Sequence, residues 1–160
     1  MKNKKSAFTM IELVFVIVII GILAAVAIPR LAATRDDAVI TKARVLVASV
    51  RNALAMERQK RVLRGEFGEI TALTNDSTKV FDTFKAKDNT GTEVDTGDDV
   101  LEYSMTSESN KKGRWSFSDG NYTFNSTLGD VIFEVISNKF ECDTSKTVNT
   151  NVNGCTQLTN

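Results

Sequence analysis

Residues 4–13 read Lys4-Lys5-Ser6-Ala7-Phe8-Thr9-Met10-Ile11-Glu12-Leu13, and they open an apolar run that continues to Ile28. From Phe8 to Ile28, 21 residues, nearly every side chain is apolar or small, and the exceptions are Thr9 and Glu12. A helix of that length crosses roughly 30 Å of hydrocarbon. A carboxylate inside such a run costs about 2.5–3.5 kcal/mol at a helix centre on insertion scales. Glu12 therefore asks for a partner, and that need points to assembly.

The rest of the chain suits one modest globular domain. The 160 residues carry no net charge, but the charge is unevenly spread. Residues 30–64 hold nine Lys/Arg against three Asp/Glu, and residues 65–160 hold eight against sixteen. A basic stem and an acidic head attract each other between copies, unless both are simply solvated faces. The chain has no histidine. That removes the usual general base, the Ser-His-Asp and Cys-His arrangements and the commonest zinc ligand. With no nucleotide loop and no nucleophile motif either, no enzymatic activity is expected. Cys142 and Cys155, thirteen apart, do not have the spacing of a zinc knuckle. They read as one disulfide in an oxidising compartment, worth roughly 3 kcal/mol, or as two thiols in a reducing one.

The N-terminus has three readings. Lys2, Lys4 and Lys5, the apolar run and Ala25-Val26-Ala27 make a secretory signal peptide cut after Ala27. The run is long for that purpose, and a signal gains nothing from Glu12. A plain membrane anchor is the second reading, with the N-terminus cytoplasmic because the short leading flank usually sets orientation.

The third reading accounts for Glu12. The basic leader, the core Phe8-Thr9-Met10-Ile11-Glu12-Leu13 and the unbroken apolar run, with Gly21 and Pro29, resemble the N-terminus of type IV prepilins and type II secretion pseudoprepilins. The resemblance covers about residues 4–35. It implies that a prepilin peptidase cuts between Ala7 and Phe8 on the cytoplasmic side and that the new amine of Phe8 is methylated. The family usually has glycine before the cut, where this chain has Ala7. The resemblance also implies that the Phe8 amine, with a reference pKa of roughly 7.7–8.0, pairs with Glu12 of a neighbouring subunit. Opposite charges in a low-dielectric core offset each other's burial and set the stacking register. The local alternative is a capping box, Thr9-x-x-Glu12, whose carboxylate suits the helix dipole.

Beyond Pro29 the pattern becomes amphipathic, with Val39, Ala43, Leu46, Val50 and Leu54 on one stripe and Gly65 as the stop. One helix from Phe8 to Leu63 is about 80 Å long at ~1.5 Å per residue. Gly21 and Pro29 are its weak points, costing about 1 and 3 kcal/mol in a helix interior. The resemblance implies that the helix can unwind between such residues on packing into a filament, whereas a mild kink is the plain alternative. Arg51, Arg58, Lys60, Arg61 and Arg64 have the charge to meet nucleic acid. A solvated helix face, or acidic neighbours, is the ordinary use of such a run.

Residues 66–99 read as an irregular connector anchored by Val80, Phe81 and Phe84. Its acidic end, Asp88 to Asp99, reads as a surface loop. Some pseudopilins that this chain resembles hold calcium in the head, so calcium there is the alternative to an expectation of no cofactor. Strands are predicted over Val100–Thr106, Arg114–Ser118, Asn121–Asn125 and Val131–Val135, with Asp119-Gly120 as a two-residue hairpin turn. Residues 143–153 are too polar to fold alone, and a Cys142–Cys155 bridge ties them to the sheet edge.

The sequence thus divides into a leader (1–7), a membrane-spanning or filament-core helix (8–28), an amphipathic continuation (29–64) and a β-sheet head (65–160). The expected class is α+β: a pilin-like lollipop, its long helix packed on a small antiparallel sheet of three or four strands. The expected role is a structural subunit of a type IV pilus-like filament serving type II secretion, DNA uptake or pilus assembly. It starts in the bacterial inner membrane with the head periplasmic and continues as a periplasmic or surface filament. The implied partners are copies of itself or related subunits, the peptidase and methyltransferase, and an inner-membrane platform with its ATPase. The rival is a monomeric exported or membrane-anchored periplasmic binding protein.

Overall fold

The computed structural model describes residues 8–126, 129–146 and 153–159. The leader, residues 1–7, and the tail segment 147–152 lie outside the described residues. The chain forms two compact units, residues 1–38 and 39–160. Helix α1, Met10–Leu63, contributes to both.

From Met10 to Ile28 α1 is apolar all round apart from Glu12, and Pro29 lies within the helix without ending it. From Phe8 to Leu31 the large apolar side chains stand exposed on every face. Such a helix needs burial that its own unit does not supply. The hydroxyl of Thr34 donates back to the carbonyls of Arg30 and Leu31, at 3.2 and 3.1 Å.

In the second unit α1 turns one stripe inward. Ala43, Val47, Val50 and Leu54 are buried, and the same spacing of four and three runs on through Glu57 and Arg61. The expected stripe included Leu46. The structure places Val47 there, with Leu46 at its margin. The helix ends as its sequence predicts. Gly65, at φ +78°, donates to the Val62 carbonyl at 3.1 Å, and Glu66 donates to Arg61 at 2.9 Å. This pair of bonds satisfies carbonyls the last turn leaves open, and it needs a left-handed residue at position 65.

Three antiparallel sheets follow. Strands β1 (Ile70–Ala72), β3 (Thr83–Lys87) and β4 (Glu93–Asp99) make the first, in the order β1-β3-β4. β2 (Lys79–Val80) pairs with β5 (Met105–Thr106). β6 (Trp115–Ser118), β7 (Asn121–Ser126), β8 (Gly129–Ile136) and β9 (Lys139–Cys142) form a four-stranded meander. The α+β class holds, with a long N-terminal helix followed by small antiparallel sheets. The irregular connector expected over 66–99 is corrected, since four strands occupy it. They are two to seven residues long, with one or two apolar residues each, too few to show a period. The acidic loop is corrected in part: residues 88–92 form a turn, but Glu93–Asp99 is an edge strand, polar and largely exposed, as an unpaired edge tolerates. The strand expected over Val100–Thr106 shrinks to Met105–Thr106.

The meander carries the core. Trp115 pairs with Phe124 and Phe117 with Tyr122 across β6 and β7, and Val131, Phe133 and Phe140 continue the same face. Asp119 and Gly120 both have positive φ, 51° and 81°, as a two-residue hairpin of this twist requires. Ser137 and Asn138 repeat that turn between β8 and β9. Phe81 lies at the centre of the rings, 5.3 Å from Trp115 edge-on and 5.3 Å from Tyr122 stacked. Its φ is 59°, a conformation that costs a non-glycine residue of order 1–3 kcal/mol, which its full burial offsets.

Helix α2, Asn153–Thr159, was not foreseen. Leu158 is buried, and the Arg44 side chain donates to the Gln157 carbonyl at 2.8 Å. The Cys142–Cys155 disulfide, Cα–Cα 5.7 Å, joins β9 to α2.

Candidate functional site

The N-terminal motif builds a closed local structure. Thr9 precedes the first helical residue, Met10. Its hydroxyl accepts from the Glu12 N–H at 3.3 Å and donates to Glu12 Oε2 at 2.8 Å. Glu12 Oε2 also accepts from the Thr9 N–H, again at 2.8 Å. This is the reciprocal capping box, which satisfies two donors that a helix start leaves open. It uses one carboxylate oxygen. Glu12 Oε1 has no hydrogen bond among the described residues. Phe8, 83% exposed, is the first of the described residues. Ala7, the other half of the expected cleavage site, lies outside the described residues, as do Lys2, Lys4 and Lys5. Gly21 has open space where a Cβ would be, so its own unit gives no reason for a glycine there.

The basic run at the end of α1 meets acidic neighbours. Lys60 pairs with Asp98 and lies 3.9 Å from Glu57. Arg64 reaches Asp98 at 3.7 Å, and Arg61 reaches Glu66 at 3.3 Å while donating to the Lys87 carbonyl at 2.7 Å. Arg51 donates to the Phe140 carbonyl at 3.0 Å, covering the open edge of β9. Glu57 is only 4% exposed, and one of its oxygens has no partner among the described residues. Burial, then the negative charge of Asp98, pushes the Glu57 carboxyl above its ordinary value. Asp98 moves the other way, held down chiefly by its hydrogen bond from Lys60.

In the acidic stretch considered for calcium, Asp88 and Asp95 spend oxygens on the chain itself. Asp88 Oδ1 accepts from the Thr90 and Thr92 N–H groups, at 2.8 and 2.9 Å, and from the Thr90 hydroxyl at 2.6 Å. These bonds lower the Asp88 carboxyl below its ordinary value. Asp95 accepts from Asn75 and from the Gly97 N–H. Among the described residues no three His, Cys, Asp or Glu side chains converge on a point a metal ion would occupy.

Sequence reasoning did not find a groove of about 810 Å³ between the end of α1 and β9. The buried Leu54 and Phe140 give it an apolar floor, the exposed Val62 and Leu63 an apolar lip, and Arg51, Arg58, Lys139 and Glu141 are the charged residues that line it. The one trace of it in the sequence is Val62-Leu63, two apolar residues off the buried stripe.

The family model of the prokaryotic N-terminal methylation motif matches residues 2–28. The chain therefore carries the signature of type IV pilin and pseudopilin precursors, a family of structural subunits. Its apolar start fits a single-pass membrane anchor: among the described residues α1 is the one helix long and apolar enough to cross a membrane, with a mean hydropathy of 3.1 over its most apolar window. No curated protein and no solved structure matches the chain.

Proposed function

We propose that the chain is a filament subunit, made as a membrane-inserted precursor, cut between Ala7 and Phe8, methylated on Phe8 and polymerised through its N-terminal helix. The observation that carries this reading is the match of residues 2–28 to the methylation motif. The exposed apolar helix supports it, because that surface needs either lipid or copies of itself. A prepilin peptidase with methyltransferase activity, an inner-membrane platform and an ATPase are the partners that follow. The polymer then serves secretion, DNA uptake or pilus extension from the inner membrane.

In this reading the free oxygen of Glu12 takes the methylated amine of the next subunit. The capping box gives Glu12 a second, purely local use, so the test must separate charge from hydrogen bonding. Glutamine at position 12 still closes a capping box, whereas it has no charge to pair with an amine. Full-length protein from membranes, with and without a prepilin peptidase, should show by intact mass a chain starting at methylated Phe8 only when the peptidase is present. Glu12→Gln should be cut and methylated as before but should form few or no filaments. A soluble chain starting at Ile28 would instead mean an ordinary secretory signal. Filaments of normal abundance from Glu12→Gln would confine Glu12 to capping.

A further inference from the structure

The meander has two edges, and the second unit presents a different surface at each. At the β9 edge is the groove, its apolar lining made by Leu54, Val62, Leu63 and Phe140. Leu63 is 89% exposed although it is fully apolar. Arg58 stands on the rim with no hydrogen bond or ion pair among the described residues, unlike Lys60, Arg61 and Arg64 on the same helix. At the opposite edge, β2 and β5 lie beside β6, and the Glu108 N–H just after β5 donates to the Trp115 carbonyl at 3.0 Å. The segment entering β5 carries Tyr103, 79% exposed. Glu102 and Asp99 flank it, and neither side chain has a hydrogen bond or ion pair among the described residues.

We infer that the groove between α1 and β9 receives the Tyr103 segment of a second copy of this chain, with Arg58 facing Glu102. The inference rests on the filament reading and adds a contact between second units. Charge chooses the occupant: an apolar slot with an unpaired cation on its rim suits an exposed aromatic beside unpaired carboxylates. The groove is larger than one side chain needs, so it takes the segment rather than the ring alone. Topology chooses the symmetry. Groove and knob lie at opposite edges of one sheet, so each copy offers both, and the contact is heterologous, the kind that extends into a filament wherever its rotation does not close a ring. A polymer requires that symmetry, and a two-fold dimer does not provide it.

The test uses the full-length chain in cells that supply a prepilin peptidase and an assembly machine. Gln59→Cys in the groove is combined with Ser104→Cys beside Tyr103, and membranes are oxidised mildly. The native cysteines are already bonded to each other. Expected is a ladder of multimers on a non-reducing gel that needs both new cysteines. Polymer is followed in parallel by sedimentation after formaldehyde fixation. Polymer without a ladder would overturn the groove contact and leave the filament reading intact, whereas absence of polymer would sink both. A single dimer band from Gln59→Cys alone would put two grooves face to face and overturn the inference, as would a bond to a different protein. Arg58→Glu and Glu102→Arg, both at exposed positions, should each cut the ladder about tenfold and together restore most of it. Loss without restoration would break the proposed pairing.

Discussion

The two halves of α1 are written for different surroundings. Residues 10–29 are apolar on every side apart from Glu12, and their own unit covers almost none of that surface. Residues 39–63 are apolar on one stripe, and the sheets of the same unit bury it. One half therefore finds its burial outside the chain and the other inside it. That difference teaches where each half's sequence is constrained. Changes in the second half act on the folding of one chain. Changes in the first act on apolar surface that the chain does not cover itself.

The largest expected effect falls in the second unit. Phe133 is fully buried, stacked on Phe140 at a ring separation of 4.9 Å. Phe133→Ala leaves a cavity that neighbouring rings fill only in part, and it should cost about 3–5 kcal/mol. Trp115, the single tryptophan and itself buried, reports the transition by fluorescence in detergent-solubilised full-length protein. Membrane retention should not change. Loss of membrane retention in this variant would join the two halves and break the comparison.

The converse substitution is Ile20→Asp, at an exposed position of the first half. A second carboxylate without a capping role should cost insertion about 2.5–3.5 kcal/mol. Membrane-bound protein should fall in carbonate-washed fractions while the Trp115 transition stays where it was. A shifted transition would mean that the first half contributes to the stability of the second.

What the sequence disclosed follows the same division. Where a signal is local and repeated, it was legible: the capping box at Thr9 and Glu12, the glycine stop at Gly65 and the Asp119-Gly120 hairpin all stand as read. Strands β1 to β5 were not, because an isolated pair such as Phe84 and Ala86 carries no more period than a loop does. The Ser137-Asn138 turn lacks the glycine that marks its counterpart, yet it adopts the same positive φ values and so adds β9. The groove exists only because β9 comes to lie along α1, a tertiary fact that no window of sequence contains. The buried pair Glu57 and Arg61 was half visible. Both fall on the stripe's spacing, but charged residues there look like the end of the stripe rather than its continuation.

The smallest effect sharpens the comparison at that pair. Glu57 sits buried, and its carboxyl is raised above 4.5, first by burial and then by Asp98. The folded state therefore holds the proton more tightly than the unfolded state does. Below about 4.5 both states are protonated and the group is neutral to stability. As pH rises from there through the raised folded value, the unfolded state releases its proton first and stability declines. Asp98 has the opposite sign, being held below 3.8 by Lys60, so its contribution is present above that value and lost as pH falls. The two windows lie on opposite sides of pH 4, which lets one variant separate them. Glu57→Gln keeps the shape and removes the charge. Its melting temperature, followed through Trp115, should match the wild type near pH 4 and exceed it by a few degrees at pH 7. An equal decline in both proteins would mean that the buried carboxylate is compensated by Lys60 and Arg61 within the same unit. In that case the second half would bury its charges as completely as it buries its apolar stripe, and the contrast with the exposed Glu12, whose second oxygen has no hydrogen bond among the described residues, would be the sharper for it.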